Sequence, residues 1–179
     1  MMRPLRFVVA FAVLGLLLSS FGLSKSIHKK VVREIQNVLD IETFELEAVA
    51  VSNQDVSAKL PIRITGDNFF KINTSNDILG YVFVDQASSK TAKFDFMVVF
   101  DPQLKIIHSK VLIYREEYGG EIGSKRWLKQ FLGKTIGDRV DYETNIDGIA
   151  GATISVRSMT NAIDNLLQSL TILKNKNQL

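Results

Sequence analysis

Between Ile78 and Ile113 the chain passes through three runs of β-forming residues joined only by short polar links. "ILGYVFVDQA" follows Asn76-Asp77, "KTAKFDFMVVFD" comes next, and "KIIHSKVLIYRE" closes the series. Tyr81, Phe83, Phe94, Phe96, Val98, Phe100, Ile107, Val111 and Ile113 supply alternating aromatic and β-branched positions, the period of a strand. The link "DPQLK" puts Pro102 at a turn position. Links this short join antiparallel neighbours, because a parallel return needs a crossover of about a dozen residues or more. The spacing predicts an antiparallel meander on which everything else must pack.

The flanking segments read as its partners. "SKSIHKKVVREIQNVLDI" carries Ile27, Val31, Val32, Ile35, Val38 and Leu39 on one helical face, with Ser26 as the expected cap. "FELEAVAV" (44–51) is strand-like, and "LPIRIT" (60–65) reads as a second short strand ended by Gly66-Asp67-Asn68. After the meander, Gly119, Gly120 and Gly123 precede a stretch whose Trp127, Leu128, Phe131 and Leu132 predict an amphipathic helix ending at Gly133. "TIGDRVDYETNID" reads as loop and short strand. The last helix is expected from about Ser155 to Leu173, with Val156, Met159, Ile163, Leu166, Leu167, Leu170 and Leu173 on its apolar face. This order argues for an α+β fold, an antiparallel sheet packed with a few helices.

The first 24 residues form a separate unit. A basic start with Arg3 and Arg6 leads into the apolar run Phe7–Leu18, followed by Ser20-Phe21-Gly22. That pattern fits a cleaved secretory signal. Extended through Leu23, the run is 17 residues long, the short edge for a membrane anchor. Both readings stand, with membrane association through residues 5–23 in the second. Lys25, Lys29, Lys30 and Arg33 outnumber the two leading arginines and weigh against export. Long following domains translocate largely regardless of such charge, so an extracytoplasmic domain is expected, in the periplasm or at the outer face of the cytoplasmic membrane. The expected division is a signal or anchor at 1–24, one domain at 25–173 and a polar tail at 174–179.

Composition removes several chemistries. Without Arg3 and Arg6 the chain holds 20 basic against 19 acidic residues, and a near-neutral domain has no electrostatic case for nucleic acid. The absence of cysteine excludes disulfides, thiol catalysis and cysteine-ligated clusters. His28 and His108 lack metal-ligand spacing to a carboxylate, so no metal site is expected.

The remaining chemistry gathers in "DGIAGATISVRSMTNAI" (147–163). A turn of small residues before a helix lets an anion approach unpaired N–H groups at the positive end of the helix dipole. Thr153 and Ser155 add hydroxyls there. Two readings stand on these facts: a phosphate-binding turn, or an ordinary Thr or Ser cap worth about 1 kcal/mol.

Asp147-Gly148-Ile149-Ala150-Gly151-Ala152-Thr153 resembles the flavinylation motif Asp-x-x-(Ser/Thr)-Gly-Ala-Thr. That motif marks FMN-binding domains of the type carried by Rnf electron-transport complexes and by sodium-pumping NADH:quinone reductases. "ILGYVFV", a glycine-rich turn with "IGSKRWLKQFLGK", and the motif before an amphipathic helix occur in that family's order. The resemblance spans most of residues 25–173. It implies FMN bound covalently through a phosphoester to Thr153, installed from FAD by a separate flavin transferase using Mg²⁺. It also implies an electron carrier with a membrane redox partner rather than a stand-alone enzyme. Asp147 would be the motif's acid, with Gly151, Ala152, Ile154 and Ser155 beside the acceptor. Two departures are plain: Ala150 replaces the usual Ser or Thr, and the family's Glu-Thr-Pro-Gly-x-Gly turn appears as "EEYGGEIG", without proline.

Other candidates carry two readings each. Gly119, Gly120 and Gly123 admit the flavin ring or only shape a turn. Tyr114, Arg115, Glu116 and Glu117 line the flavin edge or form a solvated strand end. Lys125 meets the phosphate or reduced flavin, or is a surface residue. Trp127 and Phe131 flank the ring or belong to the core, and His108 is read as a strand residue without a special role. Two rival functions remain beside the electron carrier: a flavin-dependent reductase of a small acceptor, and a non-redox envelope binding domain.

Overall fold

The computed structural model describes residues 22–49, 51, 54–57 and 59–179. The apolar run read as signal or anchor lies almost wholly outside them. Among the described residues no helix is long and apolar enough to cross a membrane.

Five antiparallel strands follow one another across a single sheet in chain order: β1 (Glu45–Ala48), β2 (Phe69–Asn73), β3 (Ile78–Ser88), β4 (Lys93–Phe100) and β5 (Ile106–Ile113). The expected meander is its centre, pairing Ala87 with Phe94 and Val99 with His108. The helices are α1 (Lys25–Leu39), the single turn α2 (Gln54–Ser57), the short α3 (Lys125–Leu128) and the long α4 (Thr153–Asn175). The α+β class holds.

Side-chain alternation sorts the strands into two cores. Phe69, Phe83, Phe94, Phe96, Val98 and Phe100 face Val156, Met159, Ile163, Leu166, Leu167 and Leu170 of α4. Phe70, Ile72, Val82, Val84, Met97 and Val99 face Ile27, Val31 and Ile35 of α1. The central strands are thus covered on both sides, which explains why β4 reads as a nearly continuous apolar run. Thr160 and Ser169 of α4 are also buried, and Ser169 Oγ accepts a hydrogen bond from Ile62 N at 3.1 Å.

Four expectations need correction. Ser24, not Ser26, caps α1, its Oγ accepting from Ile27 N at 3.4 Å. Residues 60–65 are not a strand: Pro61 has no N–H to give a ladder, and Thr65 N donates to Asn68 Oδ1 in a tight turn. The strand is the next segment, Phe69–Asn73. The amphipathic helix after the glycines is only the single turn α3 and a 3₁₀ turn at Lys129–Phe131, and Leu132 is 45% exposed. Finally, α4 begins at Thr153, two residues before the expected start.

Candidate functional site

The start of α4 bears on the two readings of the Gly-Ala-Thr turn. A capping Thr would occupy the position before the helix and accept from the first turn. Here Ala152 is the cap residue, with no side-chain hydrogen bond, and Thr153 is the first helical residue. Its hydroxyl is exposed and makes no hydrogen bond among the described residues. The N–H groups of Thr153, Ile154 and Ser155 have no backbone acceptor there, whereas Val156 N already donates to Ala152 O. An exposed hydroxyl therefore stands beside three free donors at the positive end of a 23-residue helix. Gly151 sets this up with φ +78°, and open space surrounds the place of a β-carbon, so the need for glycine is conformational.

Two contacts brace the turn from below. Ser155 is 2% exposed and its Oγ hydrogen-bonds Tyr114 Oη at 3.0 Å, linking α4 to the end of β5. The Tyr114 ring packs edge-on against Phe94, 5.6 Å between centroids. Gly119 lies against the buried Ala152, and a β-carbon on it would come within 2.8 Å of Ala152 Cβ.

Around Thr153 a cleft of about 270 Å³ is lined by Lys90, Tyr114, Glu116, Tyr118 and Gly151–Ser155. Tyr118 is 79% exposed and Ile154 50%, two large apolar surfaces beside the hydroxyl. A second cleft of about 840 Å³ holds the front of the motif, Asp147–Ala150, with Glu121, Ser124, Arg126, Trp127, Lys129 and Gln130. Asp147 is held through its backbone: Trp127 Nε1 donates to its carbonyl at 2.7 Å, and its N–H donates to Gln130 Oε1 at 2.8 Å. Trp127 and Phe131 are both buried, with rings edge-on at 5.1 Å. They belong to the core, and Trp127 also anchors the motif.

The expected residues thus divide. Gly151, Ala152, Thr153, Ile154 and Ser155 line one cleft with Tyr114 and Glu116, and Gly119 packs beneath them. Asp147 lines the neighbouring cleft. Glu117 and Gly120 are in the turn between, both exposed. Gly123 and Lys125 line a third cleft, with His108, Lys110 and Glu34, apart from Thr153. In that third cleft His108 Nε2 lies 3.4 Å from Glu34 Oε2, and Lys110 Nζ lies 3.4 Å from Glu34 Oε1. Burial holds the His108 pKa below its usual value, and Glu34 opposes that shift. Among the described residues no three His, Asp or Glu side chains gather as metal ligands.

Two lining residues were not legible, Lys90 and Tyr118. Lys90 stands at the tip of the β3–β4 hairpin, a polar link with no periodic signal. The tip is closed by Ser89 N donating to Ala92 O at 2.8 Å. Glu116 reaches across to it, accepting from Ser89 Oγ at 2.6 Å, Thr91 N at 2.7 Å, Thr91 Oγ1 at 2.9 Å and Ala92 N at 3.2 Å. These bonds, the Ser89 hydroxyl first, hold the Glu116 carboxyl at about 2.

A helix N-terminus with a free hydroxyl, opening on a cleft at the end of an antiparallel sheet, suits a phosphate group. Residues 90–168 match the family model of the FMN-binding domain, so the resemblance carried by the motif holds from the β3–β4 hairpin into α4. Among solved structures the chain is similar to NqrC of Shewanella oneidensis, with a TM-score of 0.56 and 15% identity over 85% of this chain and 98% of that one. At that identity the likeness is one of fold. No curated protein matches the chain.

Proposed function

We propose that the chain is an extracytoplasmic electron-transfer flavoprotein carrying FMN as a phosphoester on Thr153 Oγ1. The observation that supports it most is the idle hydroxyl: Thr153 is exposed, unbonded and one position past the cap. Beside it, free N–H groups and the helix dipole suit a phosphate. The match of residues 90–168 to the FMN-binding domain supplies the cofactor's identity.

Among the described residues no general base is hydrogen-bonded to Thr153, and an unaided threonine hydroxyl is a weak nucleophile. The reading therefore includes a separate flavin transferase acting on FAD: the Thr153 oxygen gains the FMN phosphorus, and AMP leaves with the proton. Bound flavin supplies the redox chemistry, and the protein holds it. Tyr114 and Ser155 fix the turn, Trp127 and Gln130 fix the Asp147 segment, and Tyr118 and Ile154 offer apolar surface to the ring. The apolar run at residues 5–23 supports a domain kept beside a membrane redox partner on the outer side.

Intact mass tests the proposal, with protein made with and without an active transferase. The expected gain is one FMN minus one water, absent in Thr153→Ala. Covalent flavin retained by Thr153→Ala, or no gain in the wild type while the transferase modifies another target, overturns it.

A further inference from the structure

Of the residues lining the Thr153 cleft, Lys90 alone is cationic, and it comes from outside the Gly-Ala-Thr motif. An exposed lysine on a hairpin tip ordinarily has no fixed place. This tip is gathered from two sides. Glu116, just beyond β5, takes four hydrogen bonds from Ser89, Thr91 and Ala92. Ser158 of α4 donates its hydroxyl to the carbonyl of Ser88, at the foot of the tip. A carboxylate beside a phosphate site would ordinarily repel the ligand, but both Glu116 oxygens are committed to the tip.

We propose that Glu116 is a positioning residue that holds Lys90 across the cleft from Thr153, where the Lys90 ammonium meets the phosphate of FMN. A lysine suits this role as a compact point charge for a phosphate. The proposal rests on the reading of the Thr153 cleft as the place of the FMN phosphate, whether or not the phosphoester has formed. It also reassigns the cationic role from Lys125, which lines the cleft with His108 and Glu34.

Titrating the unmodified protein with FMN and with riboflavin separates the phosphate from the ring. FMN is expected to bind at least about tenfold more tightly than riboflavin, a difference of about 1.4 kcal/mol. Lys90→Gln and Glu116→Ala both lose that preference with riboflavin affinity unchanged, and Lys125→Gln keeps it. Equal weakening of both ligands by Glu116→Ala means a merely structural role and overturns the positioning claim. Tighter FMN binding in Glu116→Ala means that Glu116 acts only as a repelling charge, and also overturns it. A wild type that binds both flavins alike, or neither, removes Lys90 from the phosphate. Intact mass after treatment with FAD and transferase reports on Thr153 separately. A mass gain with FMN preference intact in Lys90→Gln overturns this proposal and leaves the acceptor standing. No mass gain, with the preference lost in Lys90→Gln, does the reverse.

Discussion

Gly119 and Ala152 meet where two turns cross, with no room between them for a single added carbon. A β-carbon on Gly119 would stand 2.8 Å from Ala152 Cβ and 3.1 Å from Tyr114 Oη. The glycine-rich turn and the Gly-Ala-Thr turn are therefore one packed unit, although 33 positions separate the two residues.

Gly119→Ala should be costly on two counts. Its φ of +79° is left-handed, worth about 1–2 kcal/mol against a side chain, and the overlap adds about 1–3 kcal/mol. Urea denaturation should show a loss of about 2–5 kcal/mol, with reduced FMN loading by intact mass. Gly120→Ala, with no atom within 4 Å of the added carbon, should change little.

Tyr114 and Ser155 should behave as a coupled pair. Tyr114→Phe and Ser155→Ala each remove the 3.0 Å bond, at about 1 kcal/mol apiece. In the double variant the losses should fall short of the sum by about 0.5–1 kcal/mol. Full additivity by chemical denaturation would refute the link between β5 and α4.

The Glu116 clamp should weaken in acid. Its carboxyl lies at about 2 in the folded protein against an ordinary 4.5. A depressed folded value adds stability that is fully present above the unfolded value and lost as pH falls through the folded one. Wild type should exceed Glu116→Gln in denaturation midpoint at pH 6, and the gap should shrink between about pH 4.5 and 2. A gap unchanged at pH 2 would show that the carboxylate charge does not matter.

His108 should titrate below 6.5, because burial disfavours its charged form and Glu34 only partly offsets that. Its neutral form is the folded one, so its contribution is complete above 6.5 and declines as pH falls towards the lower folded value. Glu34→Gln removes the offset and should move the NMR midpoint of His108 further down. A rise would contradict the contact seen at 3.4 Å.

What the chain revealed in advance follows from how local each signal is. Alternation over residues 78–113 and the apolar stripe of α4 repeat many times, so strand and helix were legible there. β2 was not: Phe69–Asn73 is five residues long, while Leu60–Thr65 looked more strand-like and failed on Pro61 and the Asn68 turn. The Gly-Ala-Thr turn was legible because motif and helix start are contiguous. Lys90 was not, because its place beside Thr153 arises from the pairing of Ser88 with Lys93 and from Glu116, 26 positions further on. Lys125 shows the converse: it is close to the glycines in sequence, and the single turn of α3 carries it to the cleft of His108.

Every strand of the sheet precedes α4 in the chain, which bears on when the Thr153 cleft first exists. A polypeptide emerging from the ribosome or crossing a membrane presents its N-terminal portions first. It can complete the meander while Thr153 is still an unstructured residue with neither Tyr114 nor Gly119 against it. Lys90 and Glu116 wait on one side of a half-built cleft until α4 docks. An enzyme that recognises the assembled turn thus receives a built-in proofreading signal, since only a chain with its last helix seated displays the hydroxyl among its neighbours.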